Sequence, residues 1–459
     1  MEKENNHNEI EHSNSLGPIH IWALGVGVVL VGQFMGWNLG IMKGGSIGSL
    51  LACWIIGILY VCLIMVNTEM GTFVPEAGGQ YAMAKYFMGP LASFNIGLML
   101  VFEYVMLEAA DALVVGELLK SLSPDIQVLP FILLSLLALT YLNYKGSHGS
   151  MNVNIFFTGI AFLTILILLS STKFYSTGES LINLKDNING LPYGWMGILG
   201  SFQFGCWFYL GIEGTVLASS ECKSKNRAIP VGAIAGLITL MIGATITWFV
   251  CSGLMKADVL AISVYPLFDA AKMTKIPFIA HILFAGTMLA CLASANGCIT
   301  DASRAWYAMS EDTLIPKFFA KKHPKYGTPY RAIIFLLPIA IAFGFTGLLD
   351  QVVTFSIYSA LLVYIFTAYM MIKFRKMYPL SEVERGYISP LHPLPAIILA
   401  CLAGLTLVGM YFGYWINILS GTLFYLIASI WFVKHRSKQM NLNEFTAKGA
   451  SYLPRPKGY

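Results

Sequence analysis

Val29-Leu30-Val31-Gly32-Gln33-Phe34-Met35-Gly36-Trp37-Asn38 lies inside the first long apolar run of this chain, and Cys206-Trp207-Phe208-Tyr209-Leu210-Gly211-Ile212-Glu213-Gly214 lies inside the sixth. Both stretches place glycine and polar groups where a membrane helix should be continuous. Backbone N–H and C=O groups freed at membrane depth must find partners in protein or in a water-filled cavity. A pair of interrupted runs in corresponding places of two halves is the sequence pattern of a transporter binding site built on an internal repeat. The plainer alternative is two kinked helices with glycine at packing contacts.

Composition sets the class. Of 459 residues, 56% are hydrophobic and 12% charged, against about 25% charged in soluble domains. Apolar runs long enough to cross a bilayer recur over the whole length. The expected spans are 20–42, 47–70, 89–119, 128–142, 151–172, 195–218, 230–254, 277–300, 332–347, 352–372, 394–412 and 415–433. The expected fold is therefore an all-α membrane protein of twelve transmembrane helices, and barrel-type alternation is absent from the sequence.

Sorting Lys and Arg by loop puts 22 of the 29 on the side of the termini and seven on the other. The positive-inside rule then places both termini in the cytoplasm of a plasma (inner) membrane. The net charge of +5 is accounted for by basic loops beside anionic lipid, with no nucleic-acid partner. Residues 1–18 read as a disordered cytoplasmic tail, 19–372 as the transport core, 373–434 as the last two helices and 435–459 as a second tail.

The chemistry of soluble enzymes is missing. The eight cysteines and eight histidines form no CxxC and no Cys/His cluster, and no GxxxxGK[ST], HExxH or GxSxG motif occurs. No metal, cofactor or enzymatic activity is expected.

The membrane acids are the informative side chains, since a central carboxylate costs about 2.5–3.5 kcal/mol on insertion scales. Span 3 carries Glu103, Tyr104, Glu108 and Asp111. At about 100° per residue, Tyr104, Glu108 and Asp111 share one face and Glu103 points away from it. Glu103 falls near mid-depth. Glu108 and Asp111 lie nearer the outside, either as a cation-attracting face or as the lining of a wet vestibule. Glu213 follows Gly211 in the sixth span. It can cap N–H groups exposed there, or titrate as a coupling or gating acid, because low dielectric favours the neutral carboxyl.

Three further segments carry a resemblance. They are Val74-Pro75-Glu76-Ala77-Gly78-Gly79-Gln80-Tyr81; Ser220-Glu221-Cys222-Lys223-Ser224-Lys225-Asn226-Arg227-Ala228-Ile229-Pro230 after Ile212-Glu213-Gly214; and Ser303-Arg304-Ala305-Trp306-Tyr307-Ala308-Met309-Ser310-Glu311-Asp312 with Leu314-Ile315-Pro316 and Thr328-Pro329. In this order they resemble the amino acid–polyamine–organocation permease superfamily, over residues from about 20 to 435. Gly32…Gly36-Trp37-Asn38 and Trp207 to Gly214 look most like its ethanolamine-permease branch.

The resemblance implies two inverted five-helix repeats, spans 1–5 and 6–10, with spans 11 and 12 peripheral, and secondary active transport by alternating access. By similarity, Gly32, Gln33 and Phe34 fall in the unwound part of span 1, and Phe208, Tyr209 and Leu210 in that of span 6. Trp207 matches an aromatic that closes over the substrate, and Glu213 matches an acid proposed to sense protons; Tyr104, from the face of span 3 described above, is a further candidate substrate-binding residue. Phe34 stands where amino-acid permeases usually have a second small residue. Ala161 stands where many relatives have a Lys that replaces sodium. The function expected is import of a small primary amine or amino acid, ethanolamine-like, coupled to H⁺ or Na⁺. An exchanger on the same fold and a transporter-like nutrient sensor are the alternatives.

Overall fold

The computed structural model describes residues 16–74, 78–123, 125–175, 178–219 and 222–440. Pro75, Glu76 and Ala77 of the first motif, Ser220 and Glu221 of the second, and most of both tails lie outside the described residues. Among the described residues the chain is helical, and its one strand-like pairing is an isolated bridge between Leu16 and Cys222.

Among the described residues, seven helical stretches are long and apolar enough to cross a membrane. The helices that frame the site are α1 (Pro18–Gly27), α2 (Leu30–Met35), α3 (Trp37–Phe73), α4 (Gln80–Phe87), α5 (Pro90–Lys120), α6 (Leu129–Lys145), α7 (Ser147–Tyr175), α8 (Gly178–Ile188), α9 (Gly194–Trp207) and α10 (Lys225–Leu254). They are followed by α11 (Ala257–Ile262), α12 (Pro266–Met273), α13 (Pro277–Glu311), α14 (Tyr330–Gly344), α15 (Leu349–Met377) and α16 (Leu394–Trp431). The expected spans 128–142 and 332–347 fall on the shorter apolar helices α6 and α14.

Local chemistry explains several boundaries. Pro90 opens α5 where no N–H is needed, after Gly89 at φ +91°. α3 and α16 each bend where the sequence separates two spans. At Gly45 φ is +73°, a left-handed value open to glycine, and Pro192 packs where a side chain would stand. Tyr414 leaves the helical region with ψ +38°. The outer face of α16 is apolar and exposed through Tyr411, Phe412, Trp415, Ile416, Leu419 and Leu423. In water such a face would need a partner, and in a bilayer lipid tails supply it.

Two expected boundaries shift. Leu16, placed in the first tail, is buried and its carbonyl accepts the Lys223 N–H. Arg436, placed in the second tail, donates to the carbonyls of Thr313 and Ile315 at 2.9 and 2.8 Å, and Phe432 stacks on Phe94 at 4.5 Å. The chain beyond α16 is thereby tied to the end of α13.

The interruptions also differ from expectation. In the first span the non-helical points are Val28–Val29 and Gly36. Gly32, Gln33 and Phe34 sit within the short helix α2 between them rather than in unwound chain. The reason is local: the Gly36 N–H reaches the Gly32 carbonyl at 2.7 Å, keeping the helical pattern closed. In the sixth span α9 stops at Trp207, a turn runs to Gly211 at φ +103°, and the chain resumes as a 3₁₀ helix over Ile212–Val216. This second interruption does fall where the sequence places it.

Candidate functional site

The two interruptions touch. A Cβ on Gly32 would collide with the carbonyl oxygen of Trp207, and one on Gly36 would lie 3.2 Å from the Trp207 ring and 3.5 Å from the Phe208 ring. Only glycine allows the two backbones to meet this closely. Phe208 packs on Trp37 with ring centroids 4.2 Å apart. Gly211 is held against Val28, at the first interruption. Gly32, Gly36, Trp37, Trp207 and Phe208 thus form one buried contact.

Other expected binding residues point elsewhere. The Gln33 amide nitrogen donates to the Leu240 carbonyl at 2.9 Å, and its oxygen lies against Gly243. Gln33 therefore faces α10 and not Trp207. The Tyr209 hydroxyl is 3.2 Å from the Cys53 sulfur, and its ring is 5.3 Å from Tyr60, so it faces α3. Phe34 is buried.

A second group forms below the turn. Both carboxylate oxygens of Glu213 accept the Gly211 N–H at 3.2 Å, which is the capping role expected of it. Glu103 and Tyr364 also lie near Glu213. Tyr60 joins Tyr364 through their hydroxyls at 3.2 Å. Gly214 packs against the Asp301 carboxylate and lies close to the Tyr104 hydroxyl. Asp301 accepts from Arg304 at 3.2 Å. Tyr104, Glu103 and Glu213 are all buried, and the Tyr104 hydroxyl has no hydrogen-bond partner among the described residues.

Glu108 and Asp111 correct the vestibule expectation. They are 2% and 1% exposed, so they line no open water-filled mouth in this conformation. Asp111 lies near Cys291 and Cys298 of α13, and Glu108 near Cys298. The packing of α13 on α5 buries the face that the sequence left open to solvent. One α13 residue, Ser294, also reaches the first interruption, donating to the Val28 carbonyl at 2.6 Å. Burial has a consequence for screening, because salt weakens exposed charges far more than buried ones. Glu108→Gln with Asp111→Asn should therefore change apparent KM by the same factor at low and high ionic strength. A change that fades with added salt would return the pair to a solvated mouth.

Sequence reasoning missed Asp301, Tyr364 and Tyr60. Asp301 lies one residue beyond the expected span 277–300, and its Arg at i+3 is the signal that could have marked it. The two tyrosines carry no local signal; only packing brings them to Glu213.

Touching helix interruptions inside a bundle of apolar helices define an integral membrane transport protein. The chain belongs to the amino acid permease family, whose profile matches residues 20–442. It is 47% identical over 452 residues to an uncharacterized transporter of Rhizobium meliloti (strain 1021), covering 97% of this chain and 96% of that one. It is 23% identical over 454 residues to the branched-chain amino acid permease BcaP of Bacillus subtilis (strain 168), covering 94% of each. It is also 25% identical over 453 residues to the methylthioribose transporter of Bacillus subtilis (strain 168), covering 91% and 94%. Family and relatives are transporters, so this protein is a transporter and not an enzyme.

Proposed function

We propose that the protein imports a small primary amine or amino acid, most simply ethanolamine, by alternating access coupled to H⁺ or Na⁺. The observation that carries this reading is the contact of Gly32 with the Trp207 carbonyl, where two interrupted spans meet in the buried centre. Freed carbonyls there suit an ammonium. The same reading takes the chain as twelve spans in two inverted five-helix repeats plus two peripheral helices. It divides the chain into a core over 19–372 and helices 11 and 12 over 373–434. Both termini lie in the cytoplasm and the protein resides in the plasma membrane.

In this reading Trp207 is the lid. Its ring edges the glycine contact, where a small rotation lets it cover an ammonium. Cation–π contact contributes about 0.5–2 kcal/mol, so Trp207→Leu should weaken substrate binding by about 2- to 30-fold and leave the protein folded. The experiment is uptake into proteoliposomes of the amines and amino acids that raise the unfolding midpoint of the purified protein. Saturable uptake of at least one of them, with the expected loss in Trp207→Leu, supports the assignment. Unchanged kinetics in that variant reject the lid, and no binding by any amine or amino acid rejects the substrate class.

A further inference from the structure

A cavity of about 540 Å³ opens beside the start of α13. Phe268 and Lys272 of α12 line it, with Lys275 in the turn that follows and Ala280, His281 and Phe284 of α13. Leu122, just beyond α5, joins them. The size is that of a small-molecule site, roughly 300–1,000 Å³. None of these residues belongs to the contact between the two interruptions. Lys272 lies over the Phe268 ring at 4.2 Å, and Phe268 meets Phe284 with ring centroids 6.0 Å apart. The cationic and apolar walls are therefore continuous.

The charge is out of the ordinary for its place. Sorting by loop leaves only seven of the 29 Lys and Arg on the side opposite the termini, and two of those seven border this one cavity. Lys272 is paired with Asp269 at 3.1 Å, and Asp269 also accepts the Ser263 hydroxyl at 2.7 Å. Lys275 makes no ion pair among the described residues. Its φ is +59°, a left-handed value that strains any residue but glycine. The turn is still well built: the Lys275 N–H donates to the Lys272 carbonyl at 3.1 Å, and the Thr274 hydroxyl to the Ala271 carbonyl at 2.7 Å. Glycine would make the same turn with less strain; what lysine adds is an ammonium at the cavity.

We propose that this cavity binds an anionic phospholipid, its phosphate held by Lys272, Lys275 and His281 and an acyl chain lying over Phe268, Phe284 and Leu122. A phosphodiester takes charge-assisted hydrogen bonds from ammonium groups and accepts an imidazole N–H. A free anion would leave the apolar walls unused. A neutral lipid would leave Lys275 without a counter-charge. The mouth adjoins lipid, since Leu122, Met273 and Phe278 are exposed apolar residues in a chain of membrane helices. Basic pockets at the ends of membrane helices suit anionic head groups for the same reason. α12 also packs on α10 and on α2, the short helix of the first interruption. A lipid that bridges α12 and α13 thus braces α12 where it meets α2. The proposal rests on the protein being a membrane protein and not on the identity of its substrate.

The test titrates the full chain in neutral detergent with dioleoyl phosphatidylglycerol, dioleoyl phosphatidylcholine or sodium phosphate. Native mass spectrometry counts bound lipid, and the unfolding midpoint reads the same binding. Two lysines beside one head group should favour phosphatidylglycerol by roughly 30-fold. Added salt should shrink that preference, because both lysines are exposed. Lys272→Gln with Lys275→Gly should bring the two lipids to parity. Ala280→Leu fills the cavity and keeps the charges, so it should weaken both lipids. Lys185→Gln removes an exposed lysine of α8 that does not line the cavity and should change nothing. Lys275→Gly suits its left-handed turn, so without lipid its midpoint should not fall below wild type. That variant and Ala280→Leu carry the test if the double variant does not fold. Equal affinity for the two lipids in wild type, or a preference untouched by the lysine changes, would overturn the proposal. Unchanged lipid binding in Ala280→Leu would place the lipid elsewhere and overturn it too. A preference lost equally in Lys185→Gln would reduce it to diffuse surface charge, and phosphate that displaces phosphatidylglycerol would reduce it to an anion site.

Discussion

Gly32→Ala should abolish uptake and lower the unfolding midpoint. The new Cβ would clash with the Trp207 carbonyl oxygen and come within 2.9 Å of its carbonyl carbon. The obstacle is backbone, which cannot rotate away as a side-chain end can. Forcing a methyl into a packed site costs about 1–3 kcal/mol, occasionally more. Here the cost falls on the contact between the two interruptions, so activity suffers beyond the loss of stability. Gly159→Ala on α7 is the control: a Cβ there meets nothing within 4 Å. Replacing Gly by Ala inside a helix, free of clashes, should be neutral or slightly stabilising. Both variants are read by unfolding midpoint and by uptake in proteoliposomes. Normal uptake by Gly32→Ala would show that the two interruptions can separate without cost, and would move the site elsewhere.

Glu69→Ala is expected to have the largest effect on stability. Glu69 is 0% exposed near the end of α3 and receives Arg375 at 2.7 Å, Arg385, and the Ser389 backbone N–H at 2.7 Å. Arg385 also lies over the Phe374 ring at 4.2 Å. Removing the carboxylate leaves two guanidinium groups with their shared anion gone and a backbone donor unmet. Breaking a buried ion pair from one side costs about 3–5 kcal/mol. Glu69→Leu combined with Arg375→Met and Arg385→Met should recover much of the loss, since a packed apolar replacement is often neutral. Denaturant midpoints of the variants check this. A Glu69→Ala midpoint within error of wild type would mean that water reaches the arginines.

Much of the site was legible because a bilayer imposes local rules. The acids at 103, 108, 111 and 213 stand out as charges where charge is expensive. Gly211 marks the second interruption, and the structure puts a positive φ there. The first interruption was harder to place. Gly32 and Gly36 both signal a weak helix, yet which backbone groups lose their partners depends on hydrogen bonds that close over Leu30–Met35. Its neighbours in sequence point Gln33 to the substrate, but the rotation of this short helix turns it to Leu240, 207 residues away. Nothing local in the sequence marks Glu69, because its partners lie 306 and 316 residues along the chain.

Residue order alone marks a helical membrane protein with an interruption in its first and sixth apolar runs, and marks the acids that lie at depth. Those properties follow from the cost of placing polar groups in hydrocarbon, which acts residue by residue. What each group faces comes from the packing of the helices. It joins Gly32 to Trp207, brings Glu103 near Glu213, buries Glu108 and Asp111 under α13, and clamps Glu69 between two arginines. Helix rotation and packing set these partners, and a side chain's surroundings in a bundle come from neighbours far along the chain.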